Sequence, residues 1–359
     1  MFSYAIYRLP YAKEATLVQQ TEGDPAEYFS YAELNDKSGF VVAPFEVTLQ
    51  QPILVIRPDE LQKISIPIPP SDFSRPIGDE RQETGQSTPH STFSIPLEYT
   101  IDFANYHSQL EAGTFSKIVL ARCADEQIGD HVKPMELFYR ACQMYPRLFI
   151  ALVETGKSGR WLTATPEILL DGDGQDWRTI ALAGTMKLEG EQLNGEGETL
   201  RWSTKNIQEQ RIVTTYITEC LEQFTGDFKE EGPRTVRAAN LVHLRSDFTF
   251  KLDDHHHIGD LLQTLHPTPA VCGLPKREAF RFIVNNEHTP RRYYSGFMGP
   301  LAMDETHLYV SLRCMNIEGD TCHLYAGGGL LKDSTEEQEW AETEAKMETM
   351  RRILDQVVG

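Results

Sequence analysis

Positive charge is scarce in this sequence. Its 359 residues hold 34 Lys and Arg against 53 Asp and Glu, a formal net charge of −19. Nucleic-acid binding needs a basic footprint, so that class of partner is argued against. An anion can still be bound where local cations or a metal outweigh the overall field. Long apolar runs are also missing. Phe149–Val153 is typical of what occurs, and nothing approaches the roughly 20 residues of a membrane helix. The start, MFSYAIYRLPYAKEA, lacks a basic opening followed by an apolar stretch and a small-residue cleavage site. The six cysteines (Cys123, Cys142, Cys220, Cys272, Cys314 and Cys322) form no CxxC pair and no dense framework. That pattern fits a reduced cytosol and predicts a cytoplasmic protein. There is no GxGxxG and no P-loop, so nucleotide binding has no support. The acidic surface suggests solubility and fits a monomer or weak homo-oligomer.

What is present reads as α+β. Residues 1–95 form a β-rich N-terminal region with short apolar stretches at Gly39–Pro44 and Pro52–Arg57, closed by a Pro-, Ser- and Thr-rich segment over 65–95. That segment reads as a surface loop or linker. The region is expected to be integrated into the same fold as residues 96–359. Beyond it, the patterns predict helices at Leu97–Leu110, Pro134–Met144, Leu200–Phe224, Ile258–Leu265, Lys276–Asn285 and Thr335–Val357. Proline in the first turn marks the second of these. Strands are expected at Lys117–Arg122, Phe149–Val153, Trp161–Thr163, Thr179–Leu182, Leu241–Leu252, Tyr293–Phe297, Leu308–Leu312 and His323–Ala326. Long strands among unevenly spaced helices predict large antiparallel sheets packed in layers with flanking helices.

Two helices carry acids in places that packing alone does not explain. Val213, Tyr216, Ile217, Cys220, Leu221 and Phe224 define an apolar face, and Glu209 lies four residues before Val213 on the same side. A buried carboxylate is costly unless paired or bound to a metal; a frayed first turn that exposes Glu209 to water would equally account for it. In the last helix Ser334 and Glu337 have capping-box spacing. Glu339 and Glu342 then fall three apart and could face one hard cation, although a solvated helix with a Glu342–Lys346 pair fits the same spacing. Gly327-Gly328-Gly329, after a strand and close to this helix, could let backbone N–H groups meet an anion, or could be a plain turn. The run Asp253-Asp254-His255-His256-His257 has no second ligand cluster at a recognisable spacing and reads as a polar connection.

Eight blocks in order then carry a resemblance: FSKIVLAR at 115–122, ATPEILL at 164–170, IALAGT at 180–185, LHPTPAVCGLP at 265–275, YYSGFMG at 293–299, LRC at 312–314, AGGGLL at 326–331 and EWAETEAK at 339–346. From about 97 to 357 the chain resembles the chorismate-binding catalytic domain shared by isochorismate synthases, salicylate synthases and the large subunits of anthranilate and aminodeoxychorismate synthases. The SKIVLAR and LHPTPAV blocks look like the water-using branch, and most of all like isochorismate synthases of menaquinone or siderophore pathways. The resemblance implies Mg²⁺ held by Glu209 and Glu342, with Glu339 close to the same ion. It implies Lys117 as general base and Glu167 as general acid. It implies that Arg313, Gly327 and Lys346 hold the substrate carboxylates, that Gly184 and Thr185 line the ring-carboxylate site, and that His243 lies near the C4 oxygen. One departure stands out: family members often follow the first metal glutamate with His, and here that position is Gln210.

The implied reaction adds water at C2 of chorismate and removes the C4 hydroxyl, so it needs one base and one acid. Lys117 would have to be partly neutral, with its basicity reduced by burial and nearby cations; Glu167 would have to keep a proton near neutral pH. The alternatives are a salicylate synthase, an ammonia-using synthase component, and a catalytically silent chorismate-binding homologue.

Overall fold

The computed structural model describes residues 3–67, 95–129, 132–188, 200–238, 241–252 and 257–355. Most of the Pro/Ser-rich 65–95 segment and all of Asp253 to His256 lie outside them. In chain order the N-terminal strands are β1 (Ser3–Arg8), β2 (Glu14–Gln20), β3 (Ala26–Tyr28), β4 (Gly39–Ala43), β5 (Ile53–Ile56) and β6 (Glu60–Ser65). Helix α1 (Leu97–Glu111), strand β7 (Lys117–Gln127) and helix α2 (Pro134–Met144) follow. Strands β8 (Phe149–Thr155), β9 (Gly159–Thr165), β10 (Ile168–Asp173) and β11 (Asp176–Lys187) lead to helix α3 (Thr204–Leu221). Next come β12 (Phe228–Ala238), β13 (Leu241–Lys251), α4 (Ile258–Leu265), β14 (Gly273–Leu274) and α5 (Lys276–Asn286). The chain ends with β15 (Phe297–Leu301), β16 (Thr306–Val310), β17 (Cys314–Glu318), β18 (Thr321–Leu330) and α6 (Glu336–Leu354).

The described strands form two nine-stranded antiparallel sheets, in the orders β14-β7-β18-β17-β9-β8-β1-β2-β6 and β12-β13-β11-β10-β16-β15-β4-β5-β3. The N-terminal strands extend both: β1 pairs with β8 and β4 with β15. The sheets pack face to face through Phe40, Phe149, Trp161, Tyr293, Met298 and Tyr309, all buried, with the rings of Phe149 and Tyr309 stacked 4.3 Å apart. The outer face of the first sheet is covered by α2 and α6 through Leu137, Phe138, Met347 and Met350. The outer face of the second is covered by α3 and α4 through Val213, Ile217, Leu261 and Leu262. This is a layered α+β fold of helices, sheet, sheet and helices. No described helix is long and apolar enough to cross a membrane, and all six cysteines are unpaired.

Three local expectations change. The strand placed at Tyr293–Phe297 begins only at Phe297. Before it, Arg292 and Ser295 adopt left-handed backbone, with φ of 52° and 61°, and fold the chain into turns. Ser334 and Glu337 do not form a capping box: Thr335 is the N-cap residue of α6, without a side-chain bond, and Ser334 Oγ instead accepts from the Leu331 N–H at 3.0 Å. The glycines 327–329 make no turn, because β18 runs straight through them in register with β7.

Candidate active site

The site lies where β7, β11, β13 and β18 meet the first turns of α3 and α6. Lys117 opens β7, with Phe115 before it, and is fully buried. Alternation along the strand sends Ile118 and Leu120 against α1 and α5 and leaves Lys117 and Val119 on the other face. On the neighbouring strand, β18 carries Gly327, Gly328 and Gly329, paired in that order with Ala121, Leu120 and Val119. They are there for lack of space. A Cβ on Gly329 would overlap Glu209 Oε1 and approach Lys117 Cε to 2.9 Å; one on Gly328 would meet Glu339 Oε2 at 2.9 Å; one on Gly327 would meet the Tyr294 hydroxyl at 2.7 Å.

Glu209 reaches this point because Ser203 caps α3, its Oγ accepting from Asn206 N at 3.1 Å. The helix is ordered through its first turn, so Glu209 is not frayed into solvent; its side chain is 12% exposed. Glu209 Oε1 lies 2.9 Å from Lys117 Nζ, at an angle that leaves the ammonium without an aligned acceptor. Its Oε2 accepts from the Gly184 N–H at 3.1 Å. Gly184 has φ +68° and sits at an irregularity in the β11–β13 ladder, which frees that N–H to turn towards α3. Burial opposes the charge on Glu209, but Lys117, with Lys346 and Lys205 beyond, holds its carboxyl below the usual range. Gln210, the departure noted in the sequence, is buried and clamps α3 to the sheet, donating to Ala181 O at 3.1 Å and Ser246 Oγ at 3.3 Å.

Glu339 and Glu342 approach from α6. Glu339 is fully buried; Oε1 pairs with Lys205 and Oε2 has no partner. Burial, reinforced by Glu342, raises its carboxyl above the usual range against the pull of Lys205. Glu342 Oε1 lies 2.8 Å from Lys346 Nζ, which also donates to Gly327 O at 2.8 Å. Burial works against the charge of Lys346, yet Glu342 and Glu209 hold its ammonium above the usual range. The three acids do not bring an oxygen each within 4.8 Å of one another; each turns to a lysine. As a donor set they still fit a hard cation: all are carboxylate oxygens, and the buried, unpartnered Oε2 of Glu339 calls for a positive charge.

On the opposite wall Glu167 follows β9, 3% exposed. Burial lifts its carboxyl to about 8, against the opposing fields of Lys117, Lys346 and Arg313. Arg313, held at φ +47° between β16 and β17, is buried, and burial draws its guanidinium down to about 10. It donates to Nε2 of His243. Guanidinium cannot accept, so the His243 proton sits on Nδ1, which donates to Gly184 O at 3.1 Å and lies 3.3 Å from Thr185 Oγ1. Burial first, then Arg313 and Lys346, keep His243 neutral, well below the ordinary histidine range.

One cavity is lined by Glu167, Gly184, Thr185, Glu209, His243, Arg313, Gly327 and Lys346 together. Lys117 borders it through Glu209 and Gly329, and Glu339 and Glu342 stand behind the glycines and Lys346. Sequence reasoning missed Tyr294 and Tyr325, which also line it. Tyr294 stood inside the YYSGFMG block, misread as a strand, and Tyr325 directly before the glycines. Lys205, the partner of Glu339, was visible only as part of the helix run.

A family model described as "Chorismate binding enzyme" matches residues 77–355. The chain belongs to the chorismate-binding enzyme family. Relatives of known name agree. The chain is 31% identical over 244 residues to "Isochorismate synthase MenF" of Escherichia coli (strain K12), covering 67% of this chain and 56% of that protein. It is 31% identical over 256 residues to "Salicylate biosynthesis isochorismate synthase" of Pseudomonas aeruginosa, covering 70% and 53%. The chain thus spans little more than half the length of these two relatives. The solved structure of MenF from Escherichia coli superposes with a TM-score of 0.79 at 22% identity over 98% of this chain and 89% of that one, the same fold.

Proposed function

We propose that this chorismate-binding chain is an isochorismate synthase that moves the ring hydroxyl of chorismate from C4 to C2. The observation that carries the reading is the buried carboxyl of Glu167 in the cavity wall, with Lys117 close enough for its field to bear on it. A buried lysine amine beside a carboxylate lies within electrostatic reach of a buried carboxyl that burial lifts to about 8. Such a pair offers one group to take a proton and one to give it.

In this reading Lys117, as the neutral amine, accepts a proton from water as the water oxygen bonds to C2. The two ring double bonds shift, the C4–O bond breaks, and Glu167 supplies the proton that lets the C4 hydroxyl leave as water. Atoms balance, since one water enters and one departs. Lys117 passes its proton to solvent and Glu167 regains one. Arg313 presents a fork of donors to one substrate carboxylate, and neutral His243 keeps that fork oriented through Nε2. Lys346 and the Gly327 strand close the wall beside it. We further propose that Glu209, Glu339 and Glu342 hold Mg²⁺, which when bound would neutralise the ring carboxylate and fix the ring between base and acid.

The deciding experiment is product identification by NMR after incubating the protein with chorismate and Mg²⁺. Isochorismate alone supports the reading. Salicylate with pyruvate would point to a salicylate synthase, a nitrogen-containing product formed with ammonium to an ammonia-using synthase component, and unchanged chorismate would remove the enzymatic reading.

A further inference from the structure

Strand β7, which carries Lys117, has an incomplete neighbour. Its partner on one side is β14, two residues long, which pairs only with Lys117 and Ile118. Flanking bonds from Ser116 N to Leu274 O (2.9 Å) and Val119 N to Cys272 O (2.6 Å) extend this ladder by one residue at each end. Beyond that point Val119 O and Ala121 N still face the same edge, and both residues are buried. Left unmet, buried backbone groups of this kind are costly.

Two side chains meet them. Arg291 Nη2 donates to Val119 O at 2.7 Å, and Glu287 Oε2 accepts from Ala121 N at 2.9 Å. Arg291 Nη1 reaches back to Val271 O at 2.7 Å, next to β14. Glu287 and Arg291 are themselves joined by two bonds of 2.6 Å, with side chains 2% and 3% exposed. The guanidinium is packed over the Phe45 ring at 4.4 Å. Through its own carbonyl, Arg291 accepts from Tyr294 N at 2.9 Å, and Tyr294 lines the cavity. The pair therefore continues β14 in side-chain form and ties two walls of the cavity to one rigid joint.

We propose that Glu287 and Arg291 are positioning residues: they replace the missing length of neighbour strand along β7 and so set where Lys117 and Val119 stand against the cavity. Neither residue touches the cavity itself. The consequence for turnover rests on the reading of Lys117 as base given above.

The test uses the full chain with Arg291→Lys and Glu287→Gln. Lysine keeps the charge opposite Glu287 but cannot serve Val119 O and Val271 O together; glutamine keeps an acceptor for Ala121 N and gives up the second charged bond. Amide exchange followed by mass spectrometry is expected to speed up in the peptides covering 117–123 while those from β8 and β9 stay protected. In Arg291→Lys kcat is expected to fall about a hundredfold, the scale of a small misplacement of a reacting group, with KM for chorismate within about threefold. Glu287→Gln, retaining the acceptor, is expected to lose less. Faster exchange in 117–123 with kcat unchanged would overturn the proposal, as would a rise in KM matching the fall in kcat. If Arg291→Lys loosens every strand alike, Glu287→Gln decides by the same criteria. The exchange arm does not depend on the product, so a wild-type protein that makes something other than isochorismate would remove the proposed function and leave the anchoring of β7 separately tested.

Discussion

Arg313 donates to Nε2 of His243, and His243 in turn donates its Nδ1–H to the carbonyl of Gly184 at 3.1 Å. This chain locks a cation at the cavity by way of a neutral ring. It also ties Arg313 to the same Gly184 whose N–H holds Glu209, so the two halves of the site share one irregular residue in the sheet.

Removing the fork should therefore weaken binding before chemistry. In Arg313→Lys the amine can make one bond where the guanidinium makes two. KM for chorismate is expected to rise about tenfold or more, on the scale of a lost charged hydrogen bond, with a smaller change in kcat. Steady-state kinetics with chorismate measures both, and an unchanged KM would take Arg313 out of the substrate site.

The Glu167 carboxyl lies near 8 where an ordinary glutamate lies at 4.5. The folded chain keeps a proton that the unfolded chain has released. Stability from this group is thus complete below about 4.5 and is lost as pH rises through about 8. An acid at this position also predicts turnover that declines on the alkaline side of pH 8. Glu167→Gln should lower kcat by about 10²–10⁴ and flatten that decline in the residual rate. A pH profile of both proteins gives the comparison.

His243 gives the opposite sign. Its ring is held neutral well below the ordinary value of 6.5, as is buried His266, at about 3. The unfolded chain takes up protons first, so stability present above 6.5 should fall on acidification. Denaturant unfolding at stepwise lower pH should show this loss, and His243→Gln should reduce its slope. An identical slope in the variant would mean that His243 takes up its proton as readily in the folded chain as in the unfolded one.

Gly329 allows a test of space. Its missing Cβ leaves room for Glu209 and Lys117, so Gly329→Ala should remove most activity while the two sheets persist. Gly156, which has nothing within 4 Å of a built Cβ, is the matched control and should tolerate alanine. Circular dichroism and turnover together distinguish a lost site from a lost fold.

The metal assignment is tested without catalysis. Isothermal titration with Mn²⁺ is expected to give one site in the wild type and none, or one at least tenfold weaker, in Glu342→Ala. Turnover supported by Mg²⁺ should disappear in the same variant. Equal titration curves for the two proteins would show that Glu342 holds no cation.

Much of this protein was legible along the chain. Helices such as Pro134–Met144 and Ile258–Leu265 have the expected bounds, because apolar periodicity and proline position are local properties. The eight blocks located Lys117, Glu167, Arg313 and Lys346, since chemistry that needs fixed residue types leaves them at fixed places in a sequence. Burial of Glu209 was left open there, because whether a first turn frays depends on what packs against it. Only the tertiary structure decided that the glycines belong to a strand, since the reason is the width of Glu209, Lys117 and Glu339 arriving from other elements. Nor does the sequence mark Glu287 and Arg291 as more than an i, i+4 pair. Their partners, Val119 O and Ala121 N, lie more than 160 residues away and are backbone groups, which no side-chain pattern records. The sequence by itself determined which groups could do the chemistry. The packing of two sheets decided which of them face one another, because register and burial depend on contacts between distant segments.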